Sequence, residues 1–250
     1  MRPFHEQQKD ARASDYYARL LALYADAELN AGSRRTGSAA LKESGLIYGQ
    51  LRKNDPSNHF LLSAAIKSSV FLLSTIPSGE WTAQTELEFN ETLRLCEELL
   101  AKEPGDTDLI LLSGRLKLMA LLTAQGVNSS QQSLATANGF WNEWNHALAE
   151  KKLTPDLRLT DAMLEEAVGI AYANAGDPES ARRHWQASAN KLKAVDSRNL
   201  SFIALRRNIA LHLGQDGEAL QLERILESAG YDDQRTKPGF MRTLPGPPPS

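Results

Sequence analysis

Along most of the chain apolar residues return every three or four positions, and short polar breaks carrying Pro, Gly, Asp or Asn interrupt them. That period places apolar side chains on one side of a helix, while the two-residue alternation of a half-buried strand is nearly missing. The pattern predicts ten helices, at about 13–31, 38–53, 57–75, 80–102, 106–125, 129–151, 156–175, 178–194, 197–213 and 216–229. Three of the breaks share one chemistry: Asp55-Pro56-Ser57-Asn58, Glu103-Pro104-Gly105-Asp106 and Thr154-Pro155-Asp156. In each, a proline that cannot continue the hydrogen-bond ladder stands beside a short polar side chain able to satisfy the free amides of the next helix. They recur roughly every 50 residues, which suggests a repeating unit of two helices. From Asp232 onward the periodicity stops and five prolines appear. The expected organisation is a flexible N-terminus over 1–12, a helical repeat domain over 13–231 and a disordered Pro-rich tail over 232–250.

The most specific segment runs from Leu164 to Ser188. It carries Val168-Gly169, then Tyr172, Gly176-Asp177, Ala181, Trp185 and Ser188. This resembles the tetratricopeptide repeat, whose pattern asks for Leu-Gly, Tyr three after the Gly, Ala nine after the Tyr and an aromatic four after the Ala. Val replaces Leu and Trp replaces Phe, and every spacing is met. Small residues at Gly169 and Ala181 let two helices approach closely, Tyr172 and Trp185 fill the space between hairpins, and Gly176-Asp177-Pro178 makes the turn. Weaker echoes follow at Leu213-Gly214 to Ala219, where Glu223 stands in the place of the aromatic, and precede at Tyr48, Leu51, Pro56 and at Cys96, Leu99, Pro104. The resemblance implies an all-α fold, a right-handed superhelical stack of about five antiparallel helical hairpins. Gly230-Tyr231 after the last helix is similar to the ends of repeat regions in bacterial signalling proteins.

Stacked hairpins of that kind present a concave groove lined by the first helix of each pair. With Val168, Gly169 and Tyr172 used in packing, the partner-binding residues are expected to be Glu166, Ile170, Ala173 and Asn174 of the seventh helix and Asn208 and His212 of the ninth. Asparagine there can hydrogen-bond a peptide backbone without fixing its side chains. Some members of the family grip a terminal carboxylate with lysine and asparagine; Glu166 and Ile170 stand at the corresponding sites, which argues against an acidic C-terminal peptide. The expected function is a regulatory or scaffolding module that binds a peptide or a partner helix without catalysis. The alternative is a small-molecule-sensing domain of a bacterial signalling protein, with Phe140, Trp141 and Trp144 lining a pocket between hairpins.

Composition changes this picture only by exclusion. A net charge of −3 offers no field for a polyanion, so nucleic acid is not expected as a partner. The single cysteine, Cys96, sits in a helical pattern and reads as a buried thiol; with no disulfide framework it fits a reducing, cytoplasmic setting. The apolar run from Phe60 to Ile76 carries Lys67 near its middle and ends at Pro77, so it reads as a core helix, not a membrane span. Glu143 and His146 have the spacing of di-iron bundles, but such sites need a second copy, which is missing. His5, His59, His184 and His212 are scattered singly. No phosphate loop, nucleophile elbow, zinc-type cysteine pairing or dinucleotide fingerprint is present, so no cofactor and no metal is expected. Phe140, Trp144 and Leu148 share a helical face and read first as core packing. Gly45 and Gly49, one turn apart, read as a close helix contact. The doublets Arg34-Arg35, Lys151-Lys152, Arg182-Arg183 and Arg206-Arg207 read as solvated faces. Pro245 and Pro248 offer a PxxP spacing, and a degenerate terminal repeat leaves an apolar edge through which the chain could self-associate.

Overall fold

The computed structural model describes residues 11–30, 33–76, 80–124, 129–149, 151–193 and 200–231, and all ten elements among them are α-helices. In chain order they are α1 (Ala11–Asn30), α2 (Arg34–Asn54), α3 (His59–Ser74), α4 (Ala83–Lys102), α5 (Thr107–Ala124), α6 (Ser130–Leu148), α7 (Pro155–Asn174), α8 (Pro178–Leu192), α9 (Leu200–His212) and α10 (Asp216–Ser228). Every expected helix is present. The largest displacement of an end is at α2, which starts at Arg34 and not at 38. Ala11 and Arg12, expected in a flexible terminus, already belong to α1. Residues 1–10, the Pro-rich tail and its PxxP spacing lie outside the described residues.

The proline breaks act as their chemistry demands. Asn58 accepts from the Leu61 amide at 3.2 Å to start α3, Asp106 accepts from Leu109 at 3.0 Å to start α5, and Thr154 accepts from Leu157 at 3.3 Å to start α7. The helix ends of the second half use glycine. Gly176, Gly214 and Gly230 have φ of 85°, 72° and 64°, a conformation in which any Cβ is strained. In each case the following amide bonds back five residues, Asp177 to the Tyr172 carbonyl, Gln215 to Ala210 and Tyr231 to Leu226, which closes a Schellman cap.

The chain divides into two compact units, Met1–Leu116 and Lys117–Ser250. In the first, α1, α2, α3 and α4 each pack on the next. Tyr17, Ala18, Leu21 and Ala25 of α1 meet Ala40, Leu41, Ile47, Tyr48 and Leu51 of α2 in one core, with Leu61, Phe71 and Leu72 of α3 against it. Cys96 is fully buried, its thiol toward the Leu109 carbonyl at 3.8 Å. Trp81 packs on Phe89, ring centres 5.5 Å apart, beside the start of α4. In the second unit α6 packs on α7, α7 and α8 form a hairpin, α9 lies on α8 and reaches α7, and α10 pairs with α9.

The α1–α2 and α7–α8 hairpins share a crossing design offset by 144 positions. Ser44, fully buried on α2, donates to the carbonyl of fully buried Ala18 at 3.0 Å; Ser188 on α8 donates to that of Ala162 at 2.6 Å. At the point of closest approach one hairpin pairs Ala25 with Gly37 and the other Gly169 with Ala181. A Cβ on Gly37 would lie 3.1 Å from the Ala25 carbonyl, and one on Gly169 would lie 3.1 Å from the Ala181 carbonyl. The glycine sits on the second helix in one copy and on the first in the other, and either arrangement lets the backbones touch. Gly45 and Gly49 behave differently from each other: a Cβ at Gly45 would meet Ser68 at an ordinary 3.9 Å, while Gly49 faces open space and makes no close contact.

Candidate partner-binding site

Helix α7 is the centre of the second unit, and its polar residues are shared out among three neighbours. Successive residues on a helix point about 100° apart. Glu165 and Glu166 therefore diverge, Glu165 toward α8 and Glu166 toward α9. Glu165 Oε2 lies 2.7 Å from His184 Nδ1, and its Oε1 accepts from Lys191 Nζ at 2.8 Å. One turn earlier Asp161 Oδ1 accepts from Lys191 Nζ at 2.8 Å and from the indole N–H of Trp144 on α6 at 3.0 Å. Around this network His184 stacks on Tyr172, ring centres 5.2 Å apart, and takes the edge of Trp141 at 5.4 Å. Two buried carboxylates are thus held by one ammonium, one indole and one imidazole.

Burial of Glu165 pushes its carboxyl up, but the hydrogen bonds from His184 and Lys191 outweigh that and hold it below its ordinary value. A carboxyl depressed in the folded state stabilises above its unfolded pKa, and that contribution is lost as pH falls through the folded one. The melting temperature of the wild type is accordingly expected to fall more steeply than that of Glu165→Gln below about pH 4.3. Thermal melts of both chains across that range check it; parallel curves would remove the electrostatic role of the pair.

On the other side Glu166 Oε1 and His212 Nε2 lie 3.4 Å apart, and His212 stacks face to face on Trp185 with ring centres 4.5 Å apart. Glu166 Oε1, His212 Nε2 and Trp185 Nε1 are all buried without a hydrogen-bond partner. Trp185 is also the residue that lies over Gly169, where a Cβ would come within 2.6 Å of its Cδ1. This aromatic does what its place in the repeat pattern implies: it fills the seam between its own hairpin and the next.

The six residues expected to line a groove separate on this basis. Glu166, Ile170 and Asn208 are buried, and only Ala173, Asn174 and His212 keep intermediate exposure. The expectation of an open face is corrected for the first three. Helix α9 closes on α7, which brings Glu166 and His212 together and leaves Asn208 accepting from Arg207 at 2.8 Å. Sequence spacing could not say how near the two helices lie. Arg207 also departs from the expected solvated doublet. It is buried and pairs with Glu223 of α10.

The aromatic stripe of α6 is packing. Trp144 is 3% exposed with its N–H engaged by Asp161, and Phe140 lies under Lys117 Nζ at 5.7 Å. Glu143 points to Lys117 and His146 is exposed, so the Glu143–His146 spacing brings no ligand pair together. Among the described residues no three His, Cys, Asp or Glu side chains converge, and no helix is long and apolar enough to cross a membrane.

No family model matches the chain, and no curated protein matches it. Among solved structures, one similar to it is the crystal structure of PilW, a widely conserved type IV pilus biogenesis factor, at 13% identity with a TM-score of 0.36 over 89% of this chain and 97% of that one.

Proposed function

We propose that the α7–α10 hairpins form a tetratricopeptide-like module that binds another protein, as a scaffold or regulator and without catalysis. One observation carries this reading. Glu166, Trp185 and His212, from three successive helices, converge; Glu166 Oε1 and His212 Nε2 face each other at 3.4 Å, and neither they nor Trp185 Nε1 complete a hydrogen bond. A buried polar group without a partner costs free energy, about 1–3 kcal/mol, so the cluster favours an occupant that completes its hydrogen bonds. Access is along one edge: the side chains of His212 and Glu166 retain 9% and 12% exposure, and half-buried Ala173 and Asn174 continue from them toward the end of α7. An extended peptide or a helix end laid over Asn174 can lie along the Glu166–His212 edge, while Trp185 Nε1 faces Gly169 inside the α7–α8 contact.

Asn174→Arg tests this without touching the core. Affinity enrichment from native lysate with the wild-type chain is expected to capture a partner that the variant loses, while circular dichroism stays unchanged. A partner retained by the variant, or none captured by the wild type, removes the reading.

A further inference from the structure

Helix α7 carries two buried glutamates side by side, and their surroundings differ by one cation. Glu165 holds both kinds of donor, His184 Nδ1 at 2.7 Å and Lys191 Nζ at 2.8 Å. Glu166 has the imidazole without the ammonium: His212 Nε2 stands 3.4 Å from its Oε1, and neither atom completes a hydrogen bond. No lysine or arginine among the described residues pairs with Glu166. The charged groups of the neighbouring helices are turned elsewhere. His184 and Lys191 of α8 serve Glu165, and Arg207 of α9 bonds Asn208 and pairs with Glu223 of α10. A buried carboxylate is ordinarily paired with a cation as well as hydrogen-bonded.

The hairpin itself does not ask for this carboxylate. In the α1–α2 hairpin, 144 positions earlier, Leu21 and Ala22 stand where Glu165 and Glu166 stand, with the same serine-to-carbonyl bond across the hairpin. Beside Glu166 the edge is apolar. Ala173 follows two turns later on the same face of α7, because seven steps of about 100° return to within about 20°. The offset that relates capping Gly176 to Gly214 makes Leu211 of α9 the counterpart of Ala173, and Leu211 is 51% exposed.

Resting on the reading of this edge as the partner-binding site, we propose that the partner presents a lysine or arginine to Glu166, with an apolar side chain beside it against Leu211 and Ala173. The partner's cation does for Glu166 what Lys191 does for Glu165. His212, held by its stack on Trp185, walls the other side of the carboxylate. An acidic segment is repelled by the same group, and a purely apolar one leaves it buried without a counter-charge. The class of ligand is therefore a basic, amphipathic segment of another protein.

Selection of random short peptides displayed on phage against the full chain is expected to enrich sequences in which Lys or Arg stands beside an apolar residue. Changing that cation to Gln in a selected peptide is expected to weaken binding to the wild type about tenfold or more, the range for a hydrogen-bonded charge. The same peptide change is expected to cost nothing against Glu166→Gln, a cycle that isolates the pair. Leu211→Ser, at an exposed position, is expected to weaken both peptides alike. Fluorescence anisotropy of labelled peptides reads each affinity and circular dichroism checks the variants, while the peptide change on the wild type needs no variant to fold. Selected peptides that lack a cation overturn the proposal, as does a cation whose removal costs Glu166→Gln as much as the wild type, or an affinity indifferent to Leu211→Ser. If such peptides are still lost with Asn174→Arg, the binding edge stands without its proposed ligand. Peptides that ignore Asn174→Arg, or no peptide selected at all, remove the edge and the proposal together.

Discussion

Gly169→Val is expected to lower stability by about 3 kcal/mol, the upper range for forcing extra methyl groups into a packed interior. A Cβ at this position lies within 2.6 Å of Trp185 Cδ1 and 3.1 Å of the Ala181 carbonyl. Trp185 cannot simply retreat, because its other face is stacked on His212. Gly169→Ala separates the clash from helix propensity. Alanine gains about 1 kcal/mol over glycine in a helix interior, so any net loss measures the crowding; a loss of about 1–2 kcal/mol is expected. Gly139→Ala is the counter-case, exposed on α6 with nothing within 4 Å of its would-be Cβ. The same substitution there is expected to stabilise by up to about 1 kcal/mol. Urea unfolding of the three variants checks the signs. If Gly169→Ala stabilises as Gly139→Ala does, the α7–α8 contact is looser than described.

The same close contact shows how far the sequence could be read. Helix existence was legible everywhere, because a 3.6-residue period and proline-plus-cap breaks are local signals. The repeat was legible only where both halves of the crossing kept their expected residue types, at Gly169 with Ala181 and Trp185. In the α1–α2 hairpin the crossing is Ala25 with Gly37, the small residues exchanged between helices, with Leu41 where α8 has Trp185. The physics is retained and the residue pattern is not, so the repeat pattern marks Tyr48 and Leu51 and passes over the Ala25–Gly37 crossing.

The last hairpin takes the substitution further. Moving 38 positions on from Gly169 and Trp185, the offset that relates capping Gly176 to Gly214, gives Arg207 and Glu223. These two form an ion pair between α9 and α10 where the earlier copy packs an indole on a glycine. The aromatic missing from the motif is therefore matched by a change on the facing helix, and a charge that reads as solvated in sequence is buried in structure. Such compensation is a property of a pair of helices, and one-dimensional spacing shows only one member at a time. Burial of Glu166 and Asn208 was hidden for the same reason, since it depends on the distance from α7 to α9.

Trp144→Ala is expected to cost about 4 kcal/mol, within the range for emptying a buried indole site. The ring is 3% exposed and its N–H is donated to Asp161, which is itself buried. Trp144→Phe divides that cost. It keeps much of the apolar volume and removes the hydrogen bond to a carboxylate, so about 1.5–3 kcal/mol should be lost. Lys191 still reaches Asp161, which keeps the carboxylate from being stranded and places the loss toward the lower end of that range. Fluorescence supplies a second readout. The most buried of the described indoles should contribute the bluest emission, and Trp144→Phe should shift the remaining spectrum to longer wavelength. An unchanged spectrum with unchanged stability would mean that the α6 face stands open to solvent. The aromatics would then be available to a small ligand, and the division of labour between a packed α6 and a binding edge on α7 would have to be reversed.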